Sequence, residues 1–234
     1  MADPLPPLCI LAGGLGTRLG SKVRDTPKPL LEVAGEPFLH HQLRLLAAHG
    51  AREAVICVGY LGEQIERRIG SELFGVRIAY SYDGPAPLGT LGAVRKAAPL
   101  LGPEFLVLYG DTYLRVNYGA ATRGWRRSGL PAMMTVLQNA GRWDVSNSAF
   151  DGELVTVYDK RSPSASLEWI DYGLGGFTAA ALDAAGEEIS DLAVLYSELA
   201  QRRQLFGFAA TRRFYEIGTP EALEETGAFL AALG

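Results

Sequence analysis

Short apolar runs alternate with helical segments along the first half of the chain, and this alternation limits the possible folds. Residues 8–12, 54–58 and 105–109 are continuous apolar runs, as expected of strands that are covered on both faces. Helical periodicity predicts a helix over residues 38–48, and Gly50 is its stop signal. Strands separated by single helices form βαβ units. The sequence therefore predicts an α/β fold with a doubly wound, mostly parallel (mixed) sheet.

The ends of the predicted strands carry small or polar residues. Four such ends are Gly13-Gly14, Gly59-Tyr60, the loop after Tyr80, and Gly110-Asp111. The carboxyl ends of parallel strands meet at one edge of a sheet, and sheets of this kind bind ligands at that edge. We therefore expect a single ligand site there.

The first strand leads into a glycine-rich loop, Gly13-Gly14-Leu15-Gly16-Thr17-Arg18. Glycines let backbone N–H groups approach an anion, and an arginine fork suits phosphate oxygens. The loop is not a P-loop, because no lysine directly follows its last glycine. It also departs from the dinucleotide fingerprint, since Leu19 stands where a third glycine belongs. The loop predicts a phosphate site of another kind.

The pattern changes after about residue 138. Residues 143–150, 153–158 and 167–177 are predicted to form shorter strands, which indicates a small antiparallel insertion. We interpret the chain as one domain over residues 1–234, with a small β lobe over 140–178. Thr219 and Pro220 fit the N-cap and first position of a final helix.

The charge and the apolar pattern exclude several classes of protein. Lys and Arg total 22 against 26 Asp and Glu, a net charge of −4 that gives no basic footprint for nucleic acid. No apolar run approaches the ~20 residues that span a bilayer. The start lacks a signal peptide, and Cys9 and Cys57 lack metal-ligand spacing. We expect a reduced, cytoplasmic protein; the oligomeric state, including a homo-oligomer, stays open.

Residues 11–19 (LAGGLGTRL), followed by Pro27-Lys28-Pro29-Leu30, resemble the signature of the sugar-phosphate nucleotidylyltransferases. The resemblance implies a Rossmann-like nucleotidyltransferase fold. It also implies attack of a sugar 1-phosphate on the α-phosphorus of a nucleoside triphosphate, with release of pyrophosphate. The partners implied are therefore an NTP and a sugar 1-phosphate.

The resemblance assigns roles on the nucleotide side of the site. It implies that Arg18, Lys28 and Asp111 are catalytic. The residues it implies for nucleotide binding are Leu11, Ala12, Gly13, Gly14, Gly16, Thr17, Arg18, Tyr60, Pro87, Gly89, Thr90 and Gly110. A structural alternative treats residues 87–90 as a turn that feeds a helix, with Thr90 as its N-cap.

The same resemblance implies a Mg²⁺ site. Asp111 directly follows a buried strand and corresponds to the aspartate that holds the metal in the family; alone, such a carboxylate often caps a turn. The second carboxylate is Glu216, where the family has Asp. Because glutamate has an extra methylene, direct ligation by Glu216 stays open.

The acceptor side departs more from the family pattern. Lys160 follows Asp159 where relatives have a Glu-Lys-Pro element, and Asp171, Tyr172 and Gly173 stand where many have Asn-x-Gly. We expect these residues to contact the acceptor, together with Asn147.

In its compact length the chain resembles the heptose- or mannose-1-phosphate guanylyltransferases. This resemblance favours GTP as the nucleotide donor. Uridylyl or cytidylyl transfer to another sugar, amino-sugar or polyol phosphate stays open, as does a non-catalytic nucleotide-binding regulator. An NAD(P)-dependent oxidoreductase is disfavoured by Leu19.

Overall fold

The computed structural model describes residues 4–14, 16, 18–19, 25–139, 141–186 and 188–233, so Thr17 lies outside the described residues. The strands are β1 (Leu8–Leu11), β2 (Glu32–Val33), β3 (Glu36–Pro37), β4 (Glu53–Val58), β5 (Glu72–Leu73), β6 (Val76–Tyr82), β7 (Glu104–Tyr109), β8 (Thr112–Tyr113), β9 (Ala132–Gln138), β10 (Ser148–Phe150), β11 (Val155–Tyr158), β12 (Trp169–Thr178), β13 (Leu205–Ala210) and β14 (Tyr215–Glu216). The helices are α1 (Phe38–Ala48), α2 (Gly62–Ile69), α3 (Gly89–Leu101), α4 (Tyr118–Ser128), α5 (Ala179–Asp183), α6 (Leu192–Gln201) and α7 (Pro220–Ala231).

The central sheet is mixed and mostly parallel in its first half. Its main path runs β11-β10-β12-β7-β1-β4-β6-β5, and β9 and β13 extend it from β12. Strand β1 pairs in parallel with both β4 and β7, and β4 pairs in parallel with β6. Strand β12 is antiparallel to β7 and to β9. The predicted fold class is confirmed.

Apolar side chains fill a layer on each face of the sheet. On one face Ile10 and Ile56 belong to a buried cluster with Leu43 of α1. On the other face Cys9 and Val55 belong to a second cluster, which includes residues of α3 and α6. Successive residues of a strand point to opposite faces, so a strand covered twice needs apolar residues throughout. This is why the strands were recognisable in the sequence.

Two of the shorter predicted strands begin later than expected. The strand predicted over 143–150 is confined to β10, because the Asn139 side chain holds the preceding turn: its Oδ1 accepts from the Trp143 N–H and its Nδ2 donates to Ser146 Oγ. Strand β11 starts only at Val155. The residues before it form a turn, in which Asp151 Oδ1 accepts hydrogen bonds from the N–H groups of Glu153 and Leu154.

Strand β12 lies within the predicted lobe over 140–178 but pairs with β7 and β9, so the central sheet continues through that region. Among the described helices none is both long and apolar enough to cross a membrane.

Candidate active site

A cavity of about 290 Å³ opens at the carboxyl-end edge of β1, β4, β6 and β7. Its lining residues are Leu11, Ala12, Gly13, Gly14, Lys28, Pro29, Cys57, Asp83, Pro87, Gly89, Thr90, Ala93, Tyr109, Gly110 and Asp111. Eight of the residues expected to bind the nucleotide are in this set: Leu11, Ala12, Gly13, Gly14, Pro87, Gly89, Thr90 and Gly110. The four strand ends singled out in the sequence therefore meet at one place.

The loops after β1 and β4 touch each other through glycines. A Cβ on Gly13 would lie 3.2 Å from the amide nitrogen of Gly59, and a Cβ on Gly59 would lie 3.1 Å from the carbonyl oxygen of Gly13. Both distances are tighter than ordinary contacts, so larger residues would push the two loops apart. Gly59 thus supports Gly13, which lines the cavity; Gly59 itself and its neighbour Tyr60, which is 63% exposed, do not line it.

Lys28 and Asp111 form an ion pair at one end of the cavity. Lys28 lies in a 3₁₀ turn, Lys28–Leu30, that has Pro29 at its second position. Its Nζ is 2.8 Å from Asp111 Oδ2, and the two side chains are 11% and 26% exposed. A pair this shielded is screened by solvent less than a surface pair is. The turn and the end of β7 are thereby joined.

Gln42 of α1 holds the turn that carries Asp111. Its buried Nε2 donates to the carbonyl oxygens of Tyr109 (2.8 Å) and Thr112 (2.7 Å), which flank Gly110-Asp111. Sequence reasoning missed this residue. The available signal was a glutamine on the apolar face of a helix, at helical spacing from Leu39 and Leu46.

A two-stranded antiparallel ribbon, β8 with β14, places Glu216 beside Asp111. Strand β14 pairs with β8, which places Glu216 opposite Thr112, and the Ile217 N–H donates to the Asp111 carbonyl at 3.0 Å. Burial raises the pKa of Glu216 and the Asp111 charge raises it further, while Arg18 and Lys28 act in the opposite direction.

Arg18 is at the same end of the cavity. Its Nη2 is 3.1 Å from the position that a Cβ on Gly218 would take, next to the turn after Glu216. The structure therefore brings together all four charged residues to which the sequence assigned catalysis or metal binding. They are Arg18, Lys28, Asp111 and Glu216.

The loop over residues 83–90 packs against the start of α6. Gly89 has φ +75°, and a Cβ there would lie 2.5 Å from the Ser190 carbonyl oxygen. Thr90 does not cap α3, because that helix already begins at Gly89. Its hydroxyl instead accepts from the Leu192 N–H (2.8 Å) and donates to Asp191 Oδ1 (3.2 Å). Ser190 and Asp191 gave no signal in the sequence.

Asp171 lies next to the cavity without lining it. Its Oδ1 accepts from the Gly173 N–H (2.9 Å), and the Tyr158 hydroxyl is 3.4 Å from its Oδ2. Burial raises the pKa of Asp171, and the charge of Lys160 lowers it. Burial also raises the pKa of Tyr109, a wall of the cavity, and the charges of Asp171, Asp191 and Asp111 add to this. Asp111, Asp171 and Asp191 thus make the region around Tyr109 acidic.

Two expected acceptor contacts are structural instead. Tyr172 is buried and its hydroxyl accepts from the Arg115 N–H, because neighbours on β12 point to opposite faces and Tyr172 faces the core. Asn147 is also buried. Its Oδ1 accepts from the Asp171 N–H and from Ser148 Oγ, so it positions Asp171. Gly173 has φ +103° and lies near the Leu114 side chain. Lys160 is exposed.

Comparison with known proteins identifies the family of this chain. Residues 8–142 match the profile of the nucleotidyl transferase family. An N-acetylmuramate alpha-1-phosphate uridylyltransferase from Neisseria meningitidis serogroup B is 33% identical over 95% of this chain and 97% of its own length. The chain belongs to the sugar-phosphate nucleotidylyltransferases. The resemblance seen in the sequence is confirmed.

Two further proteins resemble part or all of the chain. A D-glycero-alpha-D-manno-heptose 1-phosphate guanylyltransferase from Campylobacter jejuni is 38% identical over 46% of this chain and 48% of its own length. A Bacillus anthracis protein crystallised with sucrose has the same fold, with a TM-score of 0.85 at 17% identity over 98% of this chain and 96% of that one.

In this nucleotidylyltransferase the two carboxylates at the Lys28 end of the cavity suit a hard cation. Within the described part of the chain no three His, Cys, Asp or Glu side chains form a closed metal cage. Asp111 and Glu216 nevertheless provide two adjacent carboxylates, and Mg²⁺ is commonly held by one or two carboxylates together with substrate phosphates. Burial is the main cause of the raised pKa of Glu216, and the Asp111 charge adds to it; a cation between the two carboxylates would offset that second effect. The donor set fits such a metal.

Proposed function

We propose that the protein transfers a guanylyl group from GTP to a heptose or mannose 1-phosphate, giving a GDP-sugar and pyrophosphate. The observation that carries this proposal is the Lys28–Asp111 ion pair, with Glu216 beside it, at one end of a nucleotide-sized cavity. Two cations, two carboxylates and a glycine-rich loop at one sheet edge suit a reaction in which phosphate charge is redistributed.

The proposed reaction is a single in-line displacement. A phosphate oxygen of the sugar 1-phosphate forms a bond to the α-phosphorus, and the bond from that phosphorus to the bridging oxygen of pyrophosphate breaks. The attacking phosphate is already ionised at neutral pH, so the step needs no strong general base. The site has to hold the two phosphates in line and offset their charge.

The residues of the chain divide this work. The backbone N–H groups of Gly13 and Gly14 face the triphosphate, and Arg18 supports its β- and γ-phosphates. Lys28 sits between the α-phosphate and the attacking phosphate, held there by Asp111. Asp111 and Glu216 would hold Mg²⁺, which supplies further neutralisation of phosphate charge when it is bound.

The acceptor lies on the Tyr109 side of the cavity, towards Asp171 and Asp191. Carboxylates accept hydrogen bonds from sugar hydroxyls, and Lys160 offers a cation to the acceptor phosphate from the same side. We place the reaction in the cytoplasm, where nucleoside triphosphates are plentiful.

One other function has specific support. The Neisseria relative, which matches almost the whole chain, is named for uridylyl transfer to N-acetylmuramate 1-phosphate. A uridylyltransferase acting on an amino-sugar phosphate is therefore the second candidate.

A matrix of the four common NTPs against a panel of sugar 1-phosphates tests both functions, with pyrophosphate release as the measurement. We expect the highest kcat/KM for GTP with heptose or mannose 1-phosphate. Turnover confined to UTP and N-acetylmuramate 1-phosphate would support the second candidate. Nucleotide binding without pyrophosphate release from any pair would contradict both and indicate a regulator.

A further inference from the structure

Thr226 of α7 is a buried polar residue to which neither the sequence nor the comparisons assign a role. It is 1% exposed, and its hydroxyl donates to the main-chain carbonyl oxygen of Glu216 at 2.6 Å. The hydroxyl of a threonine inside a helix often bonds a carbonyl of its own helix, in the preceding turn. Here the hydroxyl reaches a neighbouring strand instead. The contact joins α7 to one of the two carboxylates that suit a metal.

The register of the β8–β14 ribbon explains why the Glu216 carbonyl needs this partner. In an antiparallel pair, opposing residues alternate between hydrogen-bonded and non-hydrogen-bonded pairs. The Ile217 N–H donates to the Asp111 carbonyl, so these two residues form a hydrogen-bonded pair, and the adjacent pair of Glu216 and Thr112 is the non-bonded kind. The Glu216 carbonyl therefore points away from β8, and the hydroxyl of Thr226 meets it on that side.

The direction of the Glu216 side chain depends on the main chain that Thr226 holds. The Gly218 N–H donates to Glu216 Oε2 at 3.2 Å, so the carboxylate follows the turn over residues 216–218. Mg²⁺ requires near-octahedral geometry, with ligand oxygens at about 2.0–2.1 Å. A small displacement of this turn therefore changes whether Glu216 and Asp111 can reach the same cation.

Contacts other than the Thr226 hydroxyl keep α7 in place. The helix begins shortly after the ribbon, where Thr219 is its N-cap and accepts from the Ala222 N–H at 3.2 Å. Near its other end, the ring of Phe229 stacks on that of Tyr215, with 3.8 Å between the ring centroids. Loss of the Thr226 hydroxyl should therefore free the carbonyl of Glu216 without detaching the helix.

We propose that Thr226 is a positioning residue for the metal site: its hydroxyl fixes the main chain of Glu216 so that the carboxylates of Glu216 and Asp111 bind one divalent cation together. Thr226 is not among the residues that line the cavity, so it acts only through Glu216. This inference rests on the proposed function, because it takes Glu216 as a ligand of Mg²⁺. Removal of such a supporting partner commonly weakens metal binding about ten- to a hundredfold.

The test measures how much Mg²⁺ tightens nucleotide binding. Calorimetric titration of the full chain gives the Kd of GTP in EDTA and in saturating Mg²⁺, without acceptor, and the ratio of the two is the metal factor. UTP is titrated in the same way, so that the result does not depend on the base. Thr226→Val removes the hydroxyl but keeps the side-chain shape, and we expect it to lower the metal factor about tenfold. Thr226→Ser keeps the hydroxyl and should stay within about twofold of the wild type.

Thr122→Val is the matched control. Thr122 lies in α4, is 2% exposed, and its hydroxyl has no hydrogen-bond partner within the described part of the chain. The same substitution there should leave the metal factor unchanged. Glu216→Gln should lower the factor by itself, and adding Thr226→Val should lower it no further, because the two residues act as a unit. An additional loss in that double variant would overturn the inference, as would equal losses in Thr226→Val and Thr226→Ser.

Thermal unfolding checks that each variant is folded, and Thr226→Ala is a second variant without the hydroxyl, since alanine favours a helix. Lower stability with an unchanged metal factor would show that Thr226 is purely structural and overturn the inference. A wild type in which Mg²⁺ does not tighten nucleotide binding would overturn it too.

Pyrophosphate release separates this inference from the proposed function. Release by the wild type, together with an unchanged metal factor in Thr226→Val, overturns the role of Thr226 and leaves nucleotidyl transfer standing. A lowered metal factor in Thr226→Val, with no release from any acceptor by the wild type, does the reverse.

Discussion

Lys28 Nζ lies 2.8 Å from Asp111 Oδ2, and this contact joins the turn after the glycine loop to the end of the central strand β7. The lysine positions the carboxylate, and the carboxylate positions the lysine. Each is therefore expected to depend on the other during catalysis.

Replacing either partner should reduce turnover strongly. We expect Lys28→Ala and Asp111→Asn each to lower kcat/KM by a factor of about 100 or more, because Lys28 supplies positive charge to the reacting phosphates and Asp111 holds that lysine and would hold Mg²⁺. The double variant should lose less than the product of the two single losses, since the residues act as a unit. Steady-state pyrophosphate release measures all three.

Arg77→Gln serves as the control for a lost cation, because Arg77 pairs with Glu53 at an exposed position on the opposite side of the fold from this turn. It should change kcat/KM little. Near-normal turnover in Lys28→Ala and Asp111→Asn together would rule out the proposed scheme.

Removing the amide of Gln42 should affect both stability and rate. Gln42→Leu leaves the carbonyl oxygens of Tyr109 and Thr112 without their donor, so we expect the free energy of unfolding to fall by about 1–3 kcal/mol. The freed Gly110-Asp111 turn should lower kcat more than it raises KM for the NTP. Urea denaturation and steady-state kinetics measure the two effects.

Gln201→Leu, at an exposed position of α6, makes the same substitution away from the site and should change neither quantity by much. If Gln42→Leu kept the wild-type kcat while losing stability, Gln42 would be purely structural.

The role of Glu216 can be tested by comparing two variants. Glu216→Gln should lower turnover and raise the Mg²⁺ concentration needed for half-maximal activity, because an amide is a weaker ligand for a hard cation. Glu216→Asp keeps the carboxylate and should retain part of the activity. Titration of pyrophosphate release with Mg²⁺ gives both numbers, and unchanged turnover in Glu216→Gln would exclude a metal role.

Gly89 should tolerate no side chain. In Gly89→Ala the new Cβ would meet the Ser190 carbonyl oxygen at 2.5 Å, in a backbone conformation with φ +75°. We expect a loss of about 1–3 kcal/mol in the free energy of unfolding, and weaker NTP binding as the loop shifts. Thermal unfolding and calorimetric titration measure the two effects.

Gly227→Ala provides the contrast, because Gly227 lies inside α7 and its Cβ would make only an ordinary contact with Val33 at 3.8 Å. This variant should be unchanged or more stable by about 0.5–1 kcal/mol. A Gly89→Ala variant as stable as wild type would show that the contact with Ser190 is easily moved.

The stability of the protein should depend on pH through Asp171. Its pKa is raised in the folded state, chiefly by burial, so at a pH between the ordinary and the raised value the folded protein binds more protons than the unfolded chain. Stability therefore falls as pH rises from the ordinary aspartate value through the raised one. Asp171→Asn removes this loss, so the variant should be more stable than wild type at pH 7 and approach it at acid pH.

Asp151→Asn should show the opposite sign. Backbone N–H groups of Leu154 and Glu153 lower the pKa of Asp151, so its charge stabilises the fold at neutral pH, and the contribution is lost as pH falls through the lowered value. Urea denaturation of both variants over a pH series measures the two trends. A pH-independent difference for Asp171→Asn would show that its effect is not electrostatic.

The amino-acid sequence determined the parallel half of the central sheet and the edge at which the cavity lies. Strands covered on both faces need apolar residues at every position, so β1, β4 and β7 were visible as short runs with glycines or Asp111 at their ends. Their parallel pairing then fixed that these ends meet. Local patterns were sufficient to locate these strands, because the continuous apolar run in each one indicates by itself a strand that is buried on both faces.

The family resemblance pairs Asp111 with Glu216, but only the tertiary structure shows how distant side chains come together at the site. The β8–β14 ribbon sets Glu216 beside Asp111, and α1 brings Gln42 under the same turn. On β12 the pleat sends Tyr172 into the core and leaves Asp171 near Tyr109. Such contacts depend on how separately formed elements pack, and no local sequence pattern encodes the pairing of residues far apart in the chain.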